Sequence, residues 1–325
     1  DLDATSNVFT GAVSLSTAGS DGYVELSNGS NSLTTGTSSV GGYLTLTSGA
    51  LSLGAMTVGG NLTANADGAI TDEGIFDITG ATALITAGNN GDTMDILSFW
   101  HLFGGSVTAT GHHVKIKSGG NLTLGTIRAT RGQVKLTTKG TVTGTSPIYV
   151  NSDTTILAQN GGTNYDITLT NPNSSFGGNY ESAATSTRVT TDDTLKVTGH
   201  NVEVVSAHTF HLLDSTVTGN LTLTSSSAVD NAGVKGIDMH ASSATIPVGV
   251  NLTVTTNDND GLINLGDLAV DGTIALETDG TGAATVVNDV NLVFADSTVG
   301  GALNATATTG DITDNGALAI TGAST

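Results

Sequence analysis

Groups able to do chemistry are sparse in this chain of 325 residues, and their spacing decides what each can do. Asp192 and Asp193 are adjacent in "TDD" (191–193). Inverting glycoside hydrolysis needs two carboxyl groups facing one another at about 6.5–9.5 Å. Neighbours on a strand point to opposite faces, so this pair does not supply that geometry. "GHHVKIK" (111–117) sets His112 and His113 beside Lys115 and Lys117, and "HTFH" places His208 and His211 three apart. On a strand that spacing separates the two imidazoles, whereas zinc wants three or four convergent ligands. "NDNDG" (257–261) opens like a calcium loop, with Asp258, Asp260 and Gly261, but no Glu follows where the bidentate ligand belongs. Weak Ca2+ binding at Asp258 and Asp260 and a plain Asn/Asp/Gly corner are the two readings. No other cofactor or metal site is expected.

Two further groups could bind rather than react. "DILSFWHLFGG" (95–105) holds the only Trp and two of the seven Phe in a chain that is 4% aromatic. It reads as a non-solenoid insertion over 94–105 that plugs or covers a coil. Alternatively it is an exposed apolar patch whose binding residues are Phe99, Trp100, His101 and Phe103. The basic residues Lys115, Lys117, Arg128, Arg131, Lys135 and Lys139 are six of the nine Lys and Arg, in a window without acids. They form either a solvated face that relieves self-repulsion or a dock for an acidic surface, such as the acidic end of another copy. Four Asn-Leu-Thr sequons, at Asn61, Asn121, Asn220 and Asn251, are glycan acceptors by pattern. The same triplet is what a corner Asn leading into a Leu-Thr strand looks like.

Charge layout narrows the partners. The net charge is −20, and residues 1–114 and 236–325 hold acidic side chains with no Lys or Arg. Nucleic acid is therefore a poor partner. No run of about 18 apolar residues is present, so no membrane-spanning helix is expected. Cysteine is absent, so disulfides do not staple the chain. It opens at Asp1 without a basic-apolar leader, as expected if a signal peptide was removed or never belonged to this segment.

The elements that must position these groups are short strands. "NLTLTS" (220–225), "QVKLTT" (133–138), "NLTVTT" (251–256) and "ALAITG" (317–322) alternate apolar and polar residues between Gly, Asn and Asp. Whole phrases recur: "GAITDEGIFDITGA" (68–81) and "GDITDNGALAITGA" (310–323). "VGG" or "SGG" leading into a strand begins at 40, 58, 118 and 299, near multiples of about 20 residues. Twenty residues suit one coil of three strands and three turns. The fold expected is all-β: one right-handed parallel β-helix, a single continuous β-solenoid over 1–325 with about 20 residues per coil and about sixteen coils. A longer loop is expected at 165–182. Ile70, Ile78, Ile312 and Ile320 should point inward. Gly68, Gly74, Gly80, Gly310, Gly316 and Gly322 should supply positive φ at corners.

In phrases such as "GNLTLTSSSAVDNAG" (219–233) and "TTGDITDNGALAITGA" (308–323) the chain resembles exported bacterial adhesins of the filamentous haemagglutinin type. The resemblance implies a secreted protein at the bacterial cell surface or in the extracellular matrix. "NPNSSF" (171–176) keeps Asn171, Pro172 and Asn173 of that family's secretion-domain motif and then departs, which marks a stalk segment. The expected function is an extracellular structural or adhesive rod, a stalk segment or head-to-tail fibre subunit mediating adhesion or biofilm matrix assembly. Its expected partners are further copies of itself, end to end or laterally, and a host-cell or matrix surface. Both ends stand in full repeat grammar, so the rod should continue beyond them, covalently or by stacking. Enzymatic activity is not expected. The alternative is a polysaccharide-processing β-helix enzyme, since that fold also hosts pectin hydrolases. Their Gly-His-Gly and Asn-Thr-Asp elements are missing here, and "GHHVKIK" precedes "TDD".

Overall fold

A computed structural model describes residues 1–87, 92–176, 194–208, 210–212, 215–226, 229–230, 237–238 and 250–325. Among them the regular structure is all strand, in a parallel β-solenoid of about 12 turns and roughly 20 residues per turn. The chain divides into two compact units, Asp1–Ser152 and Asp153–Thr325.

In the first unit each coil lays a strand on each of three faces. One coil runs Leu44–Ser48, Leu51–Leu53 and Met56–Val58; the next runs Leu62–Ala66, Ile70–Asp72 and Phe76–Ile78. The coils pair residue for residue: Leu44 beside Leu62, Leu51 beside Ile70, Met56 beside Phe76. Alternate side chains point inward, so Leu44, Leu46, Leu62, Ala64 and Leu84 are buried, and each full Leu burial contributes about 1.5–3 kcal/mol. Inward hydroxyls at strand ends then satisfy the corner that follows. Ser48 Oγ donates to the Ala50 carbonyl at 2.7 Å, and the Gly140 amide donates to Thr138 Oγ1 at 3.1 Å. That is why runs such as Leu44–Ser48 and Leu221–Ser225 close on a hydroxyl residue.

The second unit repeats the scheme, with Val202, Leu221, Leu252 and Ile274 in one buried file. Its antiparallel pair, Thr154–Asn160 with Thr163–Asn164, turns through Gly161 and Gly162 at φ 57° and 86°. These are hairpin angles that favour glycine.

Several expectations need correction. Twelve turns replace sixteen because some coils are long: Thr82 pairs with Val107, and Leu221 with Leu252, steps well beyond the ordinary coil. Of the six corner glycines named from sequence, only Gly310 has a positive φ, 99°. The others answer to close stacking, as Gly80 shows: a Cβ there would lie 2.6 Å from the Gly60 backbone of the coil below. Ile70 and Ile78 are buried as expected, but Ile312 is 51% exposed in the last coil. The segment 94–105 is not an insertion outside the solenoid. It is mostly the strand Thr93–Phe103, bonded to coils on both sides, and its departure is a bulge. Within 165–182, Ile167–Leu169 and Ser175–Phe176 are strands, so the long loop does not begin there; its remainder from 177 lies outside the described residues.

Candidate functional site

The bulge arises where one strand serves two faces. Met94 pairs with Ile70 on one face, and Leu102 and Phe103 pair with Asp77 and Ile78 on the next. Against the following coil, Ile96 matches Ile116 but His101 matches Ser118, so residues 97–100 stand opposite Lys117 alone. Inward parity accordingly changes from Met94 and Ile96 to His101 and Phe103, all buried.

A polar cluster anchors the bulge from inside. His101, fully buried, accepts the Phe76 amide on Nδ1 at 3.1 Å, which leaves the proton on Nε2, 3.0 Å from Asp72 Oδ2. The Asp72 carboxylate also accepts the amides of Ser98 at 3.3 Å and Phe99 at 3.2 Å. One buried carboxylate therefore holds both the imidazole and the backbone at the apex. Burial pushes the His101 pKa below its ordinary value against the opposing pull of Asp72, so the imidazole is neutral. The Phe76 ring packs on it, centroids 4.2 Å apart.

Outside, the bulge presents an aromatic and cationic surface. Phe99 is 36% and Leu102 47% exposed, and Trp100 is half-buried. Lys117 Nζ lies 4.5 Å and Lys139 Nζ 4.2 Å from the Trp100 ring centroid. Each such cation–π contact contributes about 0.5–1 kcal/mol at an exposed site. The aromatic segment and half of the basic window thus form a single surface, which the stacking of successive coils brings together. Lys115 bonds Asp95 at 3.1 Å and has Lys135 as its neighbour in the next coil. Arg128 stands on another face, over the Tyr149 ring at 5.2 Å, and Arg131 is exposed. Of the expected binding residues, Phe99 and Trp100 reach the surface, whereas His101 and Phe103 belong to the interior.

The four sequon asparagines fall one residue before a strand, and all are exposed. Each side-chain oxygen accepts an amide of the next coil: Ala81 on Asn61 at 2.9 Å, Thr141 on Asn121 at 3.0 Å, Asn251 on Asn220 at 3.2 Å, Thr273 on Asn251 at 2.9 Å. Asn291 and Asp296 do the same for Asp311 and Ala317. Sequence reading noticed these corners but missed that they form rungs between coils. Asp260, at φ 66°, holds Thr281 through its amide at 2.9 Å and its hydroxyl, bonds that lower the carboxyl pKa. The Asp258 side chain and Asp192–Asp193 lie outside the described residues. His112 and His113 meet edge to face at 4.5 Å, and His113 Nδ1 accepts the Gln133 amide at 3.0 Å. Among the described residues no three His, Asp or Glu side chains gather as metal ligands.

A family model described as repeats of unknown function (DUF5649) matches residues 41–110, 111–183, 199–246 and 281–325, more than two thirds of the chain. The chain belongs to this repeat family. The DUF5649 boundary at 110/111 runs through the site: the bulge lies in the first matched segment, Lys117 and Lys139 in the second. No curated protein and no solved structure matches the chain.

Proposed function

We propose that this chain is a structural and adhesive segment of an extracellular solenoid, a stalk or fibre part displayed at the bacterial surface or in its matrix, with no catalytic role. The observation that carries the reading is the construction of each unit. Inward apolar files and outward rungs repeat coil after coil, so sequence is spent on stiffness and a repetitive surface. The resemblance to filamentous haemagglutinin-type adhesins supports the same place and role. The bulge around Trp100, with Lys117 and Lys139, is the surface on which adhesion would centre. The test is protease shaving and immunolabelling of intact producing cells, with adhesion compared between cells that carry and lack the protein. Surface or matrix labelling together with weaker adhesion on deletion is expected. Protein confined to the cytosol, or release of reducing ends from acidic polysaccharides by the purified chain, would overturn the reading; the second result would install the polysaccharide-processing alternative.

A further inference from the structure

The first unit carries a basic, aromatic knob, and the second carries an acidic hollow. On the flank of the second unit a cleft of about 360 Å3 is lined by Glu277, Asp296 and Thr298, with Ala275, Ala317 and Ala319 leaving room between them. Glu277 and Asp296 are both exposed, and Asp296 has one oxygen committed to the Ala317 amide at 2.7 Å. Residues 236–325 hold eleven acidic side chains and no Lys or Arg, so this surface has no cation of its own nearby in sequence. Among the described residues the one ion pair is Lys115–Asp95, the neutral His101 being only hydrogen-bonded to Asp72, so Lys117, Lys139, Glu277 and Asp296 enter none.

We infer that the bulge of one copy seats in the acidic cleft of a second copy, with Lys117 and Lys139 meeting Glu277 and Asp296 while Phe99 and Trp100 enter the alanine-floored hollow. The inference rests on the reading of the chain as an assembling solenoid and names the surfaces that would join. Exposed aromatics next to unpaired cations are what an interface hot spot needs, and the chain itself supplies the complementary hollow. Knob and hollow are different patches of one chain, so the contact is heterologous, and successive additions build an open chain or close into a ring of copies.

Sedimentation velocity of the full chain tests this with two charge-reversed variants, Lys117→Glu/Lys139→Glu and Glu277→Lys/Asp296→Lys. Wild type should form larger species as concentration rises. Each variant alone should associate at least about tenfold more weakly, because like charges then face each other. Mixing the two variants should restore assembly, since each reversed patch finds its complement on the other. Arg128→Glu/Arg131→Glu makes the same charge change away from the knob and should assemble like wild type. A monomeric wild type, failure of the mixture to recover, or equal loss in the Arg128/Arg131 control would overturn the contact. So would a monomeric wild type that binds polygalacturonate through Lys117 and Lys139, which would hand the knob to an anionic glycan. Surface labelling of cells reads the proposed function independently, so a matrix protein with no such contact and a contact on a cytosolic protein are told apart.

Discussion

Asp72→Ala removes the acceptor of three donors at once, and the structure ranks their costs. His101 Nε2 is fully buried and would have no other partner, a loss of about 1–3 kcal/mol. The amides of Ser98 and Phe99 belong to exposed residues and can turn to water, so they add little. With the small void left by the carboxylate, a destabilisation of about 2–4 kcal/mol is expected. His101→Phe keeps the ring against Phe76 but orphans the Phe76 amide and strips the carboxylate of its buried donor, costing about 2–3 kcal/mol. The double variant should lose only about 3 kcal/mol, because removing both partners leaves just the Phe76 amide unmet. The coupling between the two sites is then about 2 kcal/mol. Trp100 is the only tryptophan and sits at the apex of the bulge, so urea unfolding followed by its fluorescence reports this region alone. That matters because stacked repeats need not unfold as one cooperative unit. Strictly additive losses in the double variant would show that Asp72 and His101 do not hold the bulge as a pair.

Two further outcomes are expected. The His101 pKa is lowered on folding, so the unfolded chain binds the extra proton; stability present above about pH 6.5 should fall as the pH drops below it, by at most about 1.4 kcal/mol per pH unit. A His101→Phe variant with the same pH slope between 7 and 5 as wild type would refute the assignment. Asn251→Ala removes the acceptor for both the amide and the hydroxyl of Thr273, each at 2.9 Å, and should cost about 0.5–1.5 kcal/mol because the rung is exposed. Amide hydrogen exchange at Thr273 should rise several-fold, and an unchanged rate would deny the rung its role.

The solenoid was legible because its rules are local. Alternation in "NLTLTS" declares an inward file, and a phrase that returns at a near-constant spacing declares the coil. What was not legible depends on the neighbouring coil. In "MDILSFWHLF" the inward set passes from Met94 and Ile96 to His101 and Phe103, an odd step that breaks parity. Sequence shows that break only if one knows that His101 has a buried carboxylate waiting, 29 residues earlier at Asp72. Lys139 is likewise remote from Trp100 along the chain yet lies 4.2 Å from its ring, so patch and aromatic run read as two features until coils are stacked. The corner glycines misled for the same reason: what forbids a side chain at Gly80 is the Gly60 backbone beneath it.

The long coil between Thr82 and Val107 also bears on how such chains diversify. Thr82 keeps its partner Leu62 below, and Leu122 meets Val142 above, both at the ordinary coil spacing, although the step from Thr82 to Val107 is longer. The step that follows, Val107 to Leu124, is shorter than ordinary and carries a register shift, and the ordinary spacing returns with Leu122 and Val142. A coil of altered length is thus taken up over two steps of the ladder, while the inward file Leu84, Ala109 and Ile127 stays buried throughout. Coils of this kind are natural places to graft a foreign epitope or a reporter peptide.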